Sequence, residues 1–365
     1  MTTKSAEPAV SGKASRAQRI EALRSAYRAD LAQGTDRFFE PRRTDCPWCG
    51  ATSLKSRLRT ADLIQHKPGR FTLDQCRGCG HVFQNPRLSD AGLEFYYRDF
   101  YDGLGEERAA ATFRGRARAY RGRAQPVVAL GVTPENWLDV GTGHGHFCAT
   151  ARELLPATRF DGLDQSEGAE LAEREGRLDR GFRGLFPELA PVLAGQYDVV
   201  SMFHYLEHST EPRRELDAAR QALRPGGLLL IEVPDPQSRY AGVLGRWWLP
   251  WLQPQHLNLM PVANLRALLS ELGFTVVAEQ HGEPHDPVDL LAACFLAMDA
   301  IAPREDAPWL PGRPPGRVAR VLRTAMFLAA APFMLIATAA DRLIARVAGR
   351  AGLSNAYRLL ARYEE

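Results

Sequence analysis

The chain has 365 residues, of which 45% are hydrophobic, a formal net charge of +3 at pH 7, and six cysteines. This length and hydrophobic content allow one large core with an accessory module, and so small a net charge gives no argument for nucleic-acid binding. Residues 1–13 are polar, which predicts no secretory signal. We therefore expect a cytoplasmic protein whose cysteines are thiols or metal ligands rather than disulfides.

The first predicted element is an amphipathic helix over residues 14–32. Ile20, Leu23, Tyr27 and Leu31 recur at helical spacing on one face of it. This helix accounts for the first predicted segment of the chain, residues 1–43.

Residues 44–90 carry two cysteine pairs in a C-x2-C-x26-C-x2-C pattern. Two residues between thiolates let both sulfurs reach one tetrahedral ion, so the spacing predicts a zinc ribbon; a redox pair is the alternative. Four protein ligands leave no open coordination position, which predicts a structural zinc rather than a catalytic one. Cys148 and Cys294 stand alone in apolar surroundings and are predicted to be buried thiols. The predicted zinc ligands are Cys46, Cys49, Cys76 and Cys79.

Basic residues between the two cysteine pairs raise the question of nucleic-acid binding. Asp62 and Asp74 interrupt them, and no continuous basic stripe with interleaved aromatic residues is present. Nucleic acid is therefore not the expected partner of the ribbon.

Two segments follow the ribbon. The aromatic run from Phe95 to Tyr101 is expected either to close over a bound cofactor or to pack two domains together. Residues 106–123 predict a helix rich in arginine, which is either a solvated face or a surface that attracts phosphate groups.

The segment from Trp137 to Phe147 predicts a strand, a glycine-rich turn and the start of a helix. The strand ends at Asp139, and Gly141, Gly143 and Gly145 follow in a Gly-x-Gly-x-Gly pattern. Glycines at such a turn let the backbone approach a ligand closely. A second predicted strand, Phe160–Asp164, ends in an acid where a parallel sheet would hold ribose hydroxyls.

Further strands are predicted at Tyr197–Phe203 and Leu228–Val233, separated by His204-Tyr205-Leu206-Glu207-His208 and Leu223-Arg224-Pro225-Gly226-Gly227. In this order the motifs resemble the class I S-adenosylmethionine (SAM) methyltransferases of the small-molecule branch, including the ubiquinone-pathway O-methyltransferases. The resemblance implies an α/β, Rossmann-like domain over residues 91–284. It also implies a SAM site formed by Asp139, Gly141, Gly143, Gly145, Asp164 and Phe203.

An oxygen nucleophile needs its proton removed, and histidine is the natural base near neutral pH. His204 lies directly after a strand and is the first candidate for this base; His256 and His208 are the other catalytic candidates. The ubiquinone-pathway enzymes carry Glu and His residues implicated in divalent-metal binding at the segment equivalent to 204–208, with a glutamate where this chain has His204. Glu207 and His208 are therefore expected either to bind a metal or to cap the following helix.

Trp247, Trp248 and Trp251 form an aromatic loop before His256. Their rings are predicted to make an apolar wall for the substrate or to lie at a membrane interface. A helix is predicted from Pro261 to Leu272.

The last hundred residues contain a long apolar segment. Thr324–Ala340 has 17 uncharged residues interrupted by Pro332, and at about 1.5 Å per residue it reaches roughly 25 Å, short of the ~30 Å hydrocarbon core. The predicted last strand, within residues 351–365, pairs antiparallel with Phe274–Glu279, so residues 285–350 are an insertion within one sheet. A single crossing would put the last strand on the wrong side of the membrane. We expect a proline-broken helix pair that binds a membrane surface or caps the substrate site, and whose excision over residues 314–349 leaves SAM binding intact.

The expected function is SAM-dependent methyl transfer, on oxygen, to a small hydroxylated, sugar-containing or lipid-linked acceptor. The expected cofactors are SAM and one structural zinc ion, and the inner face of the cell membrane is a possible partner surface. The alternatives are an RNA methyltransferase that uses the ribbon to bind RNA and a binding protein that retains the fold without catalysis. The sequence leaves the acceptor atom and the oligomeric state open.

Overall fold

The computed structural model describes residues 16–99, 117–312 and 314–364. The α-helices within these ranges are α1 (Arg16–Ala32), α2 (Asp90–Tyr97), α3 (Ala117–Ala129), α4 (His146–Arg152), α5 (Gly168–Arg174), α6 (Phe186–Leu193), α7 (Pro212–Ala222), α8 (Arg239–Val243), α9 (Val262–Glu271), α10 (Asp289–Ile301) and α11 (Arg317–Ala345). The strands are β1 (Leu54–Thr60), β2 (Phe71–Cys76), β3 (Val82–Gln84), β4 (Asn136–Val140), β5 (Arg159–Asp164), β6 (Arg180–Arg183), β7 (Tyr197–Phe203), β8 (Leu223–Pro234), β9 (Asn258–Leu259), β10 (Phe274–Gln280) and β11 (Ala356–Tyr363).

A seven-stranded sheet in the order β10-β11-β8-β7-β4-β5-β6 forms the centre of the molecule. Strand β4 pairs in parallel with β5 and β7, whereas β11 pairs antiparallel with both β8 and β10. The predicted α/β, Rossmann-like fold is confirmed, with the antiparallel last strand where the sequence placed it. The carboxyl ends of β4, β5 and β7 therefore meet at one edge, where open parallel sheets bind ligands.

The sheet is buried on both faces, because successive residues of its apolar strands point to opposite sides. Leu138 and Val200 face one layer, which is built by α6, α7 and α9. Trp137 and Val199 face the other layer, built by α3, α4 and α5. Cys148 is buried in that second layer, as predicted, whereas Cys294 is partly exposed.

The ribbon forms a second sheet in the order β1-β2-β3-β9. Its fourth strand is not part of residues 44–90, because β9 comes from the chain after β8. Val82 pairs with Leu259 and Phe83 with Asn258. The sequence did not predict this strand, since two residues are too few to give a periodic pattern.

The N-terminal helix packs onto the ribbon side of the molecule. Tyr27 is fully buried and its ring lies edge-on to Phe95 and Trp309, with centroid distances of 5.5 and 5.2 Å. Of the two roles expected for the aromatic run, Phe95 and Tyr96 therefore take the packing role. Residues 100–101 of that run lie outside the described residues.

The arginine-rich segment is described only from Ala117 onward, and residues 106–116 lie outside the described part of the chain. Helix α3 continues to Ala129, beyond the predicted end at residue 123. Arg123 is not on a solvated face, because its side chain is 12% exposed and pairs with Glu232.

The insertion between β10 and β11 is a pair of helices, α10 and α11. Helix α11 is continuous over 29 residues with Pro332 inside it, so the expected break is wrong. Proline removes one backbone hydrogen bond, and the alanine-rich neighbours keep the remaining turns favourable. At about 1.5 Å per residue the helix is roughly 43 Å long.

Candidate functional site

The glycine-rich turn joins β4 to α4, and Gly141, Gly143 and Gly145 have φ angles of 75°, 54° and 70°. Residues that carry a side chain rarely adopt this backbone conformation, which explains why glycine occupies these positions. An added Cβ at Gly141 would lie 2.6 Å from the ring of Tyr205, whereas nothing lies within 4 Å of one at Gly143. The close approach at Gly141 is therefore to a side chain, and the open side of the turn is at Gly143.

Asp164 ends β5 beside this turn. Its Oδ2 accepts a hydrogen bond of 2.9 Å from the Gly143 N–H, and its Oδ1 accepts bonds of 2.8 Å from both the N–H and the hydroxyl of Ser166. The carboxylate and the glycine turn are thus tied to each other. This placement suits the predicted ribose contact. Ser166, which follows β5, is a neighbour of Asp164 that the sequence did not predict.

Asp139 lies beneath the turn and is 3% exposed. Its Oδ1 accepts a 2.6 Å hydrogen bond from the Ser201 hydroxyl, and burial raises the pKa of Asp139 to about 6. The ring of Phe203 packs 4.7 Å from Phe147 and lies under the guanidinium of Arg123. Both side chains support the walls of the turn, and their contact with SAM stays a prediction.

His204 follows β7 with a φ of 52°, a strained conformation for a residue other than glycine. Its Nδ1 lies 3.1 Å from Glu207 Oε1 and its Nε2 lies 3.2 Å from Glu232 Oε1. Burial alone would lower the pKa of His204, but the hydrogen bonds and charges of the two carboxylates raise it to about 9. A ring that is protonated and bonded at both nitrogens has no lone pair for a substrate proton, so this geometry disfavours His204 as the base.

Glu232 is a buried partner of His204 that the sequence did not predict. It is 3% exposed and accepts hydrogen bonds of 2.9 Å from Arg123 Nε and from Arg358 Nε. Although burial raises the pKa of its carboxyl group, Arg123, His204 and Arg358 together hold that pKa well below its usual range. An acid in the middle of the apolar run of β8 is the signal that marks it in the sequence.

Glu207, His208 and His256 converge on one point, and their candidate ligand atoms lie within 4.8 Å of one another. Nδ1 of His256 lies 2.7 Å from the Pro250 carbonyl oxygen, and Nδ1 of His208 lies 3.1 Å from the Gln255 carbonyl oxygen. Because carbonyl oxygens only accept, these bonds assign the proton of each ring to Nδ1. Each Nε2 therefore carries a free lone pair.

The third atom of this set is Glu207 Oε2, which is buried and has no hydrogen-bond partner among the described residues. Burial and the neighbouring His208 lower the pKa of His256 to about 3, so its ring is neutral. The two imidazole Nε2 nitrogens and the carboxylate oxygen accept but do not donate. They fit a divalent cation or a hydroxyl group that donates a proton.

The helix-capping role expected for Glu207 and His208 is not found. The residue before α7 is Glu211, and no side chain caps that helix end. The Tyr97 hydroxyl instead lies 2.9 Å from His208 Nδ1, so the aromatic run after the ribbon reaches the site through Tyr97.

The four ribbon cysteines are brought together as the spacing predicts. Cys46 Sγ lies 3.7 Å from Cys79 Sγ, and Cys49 Sγ lies 3.6 Å from Cys76 Sγ. A tetrahedron with Zn–S distances of about 2.3 Å has edges of about 3.8 Å, so the sulfurs fit a zinc ion.

The ribbon is joined to the candidate site through the segment that carries His256. The Gln84 side chain donates a 2.8 Å hydrogen bond to Gln253 Oε1, and its backbone N–H donates to the Leu257 carbonyl at 2.9 Å. With the pairing of β3 and β9, these bonds hold both sides of His256. The ribbon thus supports one of the three converging side chains.

The aromatic loop lies inside the protein. Trp248 and Trp251 are 1% and 2% exposed, and their rings are 4.9 Å apart. The Trp248 indole donates a 2.8 Å hydrogen bond to Asp289 at the start of α10. These two rings pack the ribbon against the insertion, so their expected place at a membrane interface is wrong.

Residues 112–279 match the model of a family described as a methyltransferase domain. A ubiquinone biosynthesis O-methyltransferase of Psychrobacter arcticus is 28% identical over 162 residues, which cover 41% of this chain and 63% of that protein. An uncharacterized 37.1 kDa protein in a transposon of Streptomyces fradiae is 33% identical over 129 residues, covering 33% of this chain and 36% of that protein. The chain therefore spans roughly a third to two thirds of these relatives.

Among solved structures, a SAM-dependent methyltransferase from Archaeoglobus fulgidus is similar with a TM-score of 0.43 and 17% identity, covering 69% of this chain and 96% of that chain. The family match begins after the ribbon and ends before the insertion, so both of those parts are additions to the matched domain.

Proposed function

Because residues 112–279 match a methyltransferase-domain family, we propose that this chain transfers the methyl group of SAM to a hydroxyl oxygen of a small acceptor. The set of acceptor atoms on Glu207, His208 and His256 supports a substrate group that donates a proton, and the similarity to an O-methyltransferase supports oxygen as the donor atom. A hydroxyl donates a proton into such a set, whereas none of these atoms donates a proton to an acceptor.

The glycine turn and the three converging side chains lie on neighbouring loops. Tyr205 packs against Gly141, and Glu207 is two residues further along the same loop. Methyl transfer from a sulfonium forms an O–C bond as the C–S bond breaks, and it depends mainly on alignment of the three atoms. We infer that the loop after β7 sets the distance between SAM and the acceptor.

The acceptor proton needs a destination when the O–C bond forms. Glu207 Oε2 and the Nε2 atoms of His208 and His256 are the available lone pairs. His204 acts on Glu207 rather than on the acceptor, because it holds the other carboxylate oxygen at 3.1 Å. His204 is therefore a positioning residue in this proposal.

A divalent cation is the second possible occupant of the three side chains, and their chemistry fits one. When bound, such an ion lowers the pKa of a hydroxyl coordinated to it. Glu207, His208 and His256 would hold the ion, and the carbonyl groups bonded to both Nδ1 atoms would orient the rings.

The acceptor class that we propose is a hydroxylated molecule linked to a lipid or carrying a sugar. The named relative acts in ubiquinone biosynthesis, which supports O-methylation of a hydroxylated small molecule. The exposed apolar helix of the insertion supports a lipid-linked acceptor.

The test supplies purified protein and SAM with a labelled methyl group to lipid and aqueous extracts of cells that lack the protein. Label should enter a lipid-soluble product, and mass spectrometry should find a gain of about 14 daltons on oxygen. Calorimetry measures SAM binding in parallel. Label that enters RNA or protein, or no transfer by protein that binds SAM, would overturn the proposal.

A further inference from the structure

Helix α11 exposes a continuous row of large apolar side chains. By length and composition the helix could cross a membrane. Only 11% of an apolar 18-residue window in it is buried inside the protein. From Val321 to Ala340 its exposed positions carry no charge. The exposed side chains, each between 51% and 82% accessible, are Val318, Val321, Leu322, Leu328, Phe333, Leu335, Ile336 and Leu343.

These side chains occupy one face of the helix. At 3.6 residues per turn they fall in a sector of roughly 160°, opposite the buried Ala330, Ala337 and Asp341. Exposed arginines border the apolar sector at both ends of the helix, and none has an acidic partner within 4.0 Å among the described residues; they are Arg317, Arg320, Arg342 and Arg346. The four arginines lie along one edge of this sector. An apolar face with a basic edge is the pattern of a helix that lies in a membrane interface.

Contacts near both ends fix the direction of α11. Near its start, Arg323 pairs with Asp299 at the end of α10, and Asp299 also lies 2.6 Å from His66 of the ribbon side. Near its end, the Asp341 carboxylate accepts 3.0 Å hydrogen bonds from the N–H groups of Leu290 and Leu291. The helix therefore lies along the body of the protein over about 27 Å of its length. It would have to break one of these contacts to stand upright in a bilayer.

We propose that the exposed face of α11 docks in the plane of an anionic membrane surface, with its apolar side chains among the acyl chains and its arginines at the headgroups. The membrane is favoured over a second copy of this chain because the unpaired arginines complement anionic headgroups, whereas a symmetric contact would bring the same arginines together. The argument for docking depends only on the exposed face of α11 and its arginines, and it holds whether or not the protein transfers a methyl group.

The test is flotation of the full-length protein with vesicles of phosphatidylcholine alone or mixed with phosphatidylglycerol. The protein should float with the anionic vesicles, bind neutral ones less, and be partly released by high salt. Replacing an arginine of the basic edge with glutamine should weaken partition to anionic vesicles about fivefold for each arginine.

The decisive variant is Leu328→Glu with Ile336→Glu, which places two charges on the apolar face. Its matched control is Val192→Glu on α6, where the side chain is 69% exposed. The double variant should lose flotation while the control keeps it, and unchanged SAM binding by calorimetry shows that both are folded. These readouts need no acceptor, so they are separate from the test of methyl transfer.

Three results would overturn the proposal. One is wild-type protein that ignores anionic vesicles. Another is a dimer, seen by light scattering, that the double variant dissociates, because the face then binds a second copy. The third is protein that stays in preformed vesicles through an alkaline carbonate wash, which indicates a spanning helix rather than an in-plane one.

Discussion

The buried carboxylate of Glu232 pairs with three basic side chains beside the candidate site. Arg123, Arg358 and His204 all contact its carboxylate. Arg123 lies on α3, near the start of the matched domain, and Arg358 lies on β11, beyond its end. A buried carboxylate is stable only when it is paired and hydrogen-bonded. The His204 loop is therefore anchored to the last strand of the sheet through one side chain.

The Asp164 carboxylate is predicted to bind the SAM ribose. Asp164→Ala should lose two charge-assisted hydrogen bonds, which costs roughly 2–4 kcal/mol of SAM binding free energy. Titration calorimetry measures the change, and Asp217→Ala on α7, which removes an exposed pair with Arg220, is the control. An unchanged SAM affinity in the first variant would remove Asp164 from the cofactor site.

His204 and His256 are predicted to differ in their effect on catalysis. If a histidine takes the acceptor proton, its loss should lower turnover on the order of 10²–10⁴-fold while SAM still binds. The Nε2 of His256 belongs to the converging set, so His256→Ala should have the larger effect of the two. Because a pKa of about 3 makes this ring a weak base, the loss should lie toward the lower end of that range. His204→Ala should act through Glu207 and be partly rescued by His204→Gln, which keeps a donor.

The comparison uses steady-state kinetics of both variants with the labelled acceptor. A larger loss for His204→Ala than for His256→Ala would return the base to His204, as the sequence suggested. Near-normal turnover in both would indicate catalysis by alignment alone.

At the scale of elements, the pairing of β3 with β9 makes the ribbon part of the acceptor side. Only two residue pairs join these strands, and Asn258 is also held by His81, with 3.0 Å between His81 Nε2 and the Asn258 side-chain oxygen. A small sheet of this size is marginal alone, so loss of the metal should loosen the cysteine end of the ribbon and the strands paired with it. The proposed zinc site and His256 are therefore coupled.

Removal of zinc is predicted to impair acceptor binding more than SAM binding. Purified protein should contain one zinc per chain, and chelation should disorder residues 44–84 together with β9. Metal analysis, calorimetry with SAM and hydrogen exchange of the β9 amides check this expectation. A folded protein with well below one zinc per chain would contradict the proposed site.

At the scale of the whole molecule, the insertion connects the N-terminal helix to the ribbon. Arg24 of α1 pairs with Asp306 at 3.0 Å, and the Trp309 indole donates a 2.7 Å hydrogen bond to the Gln65 carbonyl. The loop between α10 and α11 thus bridges α1 and the ribbon. Excision of residues 314–349 was expected to leave SAM binding intact. It would also remove Arg323 and Asp341, which hold both ends of α10, so we expect it to destabilise the fold around α10.

Trp309 is the residue through which this bridge is tested. It is 5% exposed and packs against Tyr27, so Trp309→Ala should lower the free energy of unfolding by about 3–5 kcal/mol. Chemical denaturation followed by circular dichroism measures the loss, and the partly exposed Trp247→Ala is the control. A change below about 1 kcal/mol would mean that the bridge contributes little.

The sequence by itself determined the sheet, the glycine turn, the four cysteines and the insertion between the last two strands. The sequence signal for each of these features is local or periodic. Apolar runs predict strands, glycines predict turns with positive φ, and a fixed cysteine spacing predicts a tetrahedral sulfur site. Asp164 was placed near the glycine turn by the same kind of reasoning, since it ends the strand that pairs in parallel with β4.

Only the tertiary structure showed what surrounds the histidines and the insertion. His204 was expected to be a base because it follows β7, but its two nitrogens meet Glu207 and a carboxylate from β8, which no local pattern connects. Likewise β9 joins the ribbon, and α11 lies along α10, through contacts between residues far apart in the chain. Charge state and exposure depend on what surrounds a group in space, and that is set by packing rather than by neighbours in sequence.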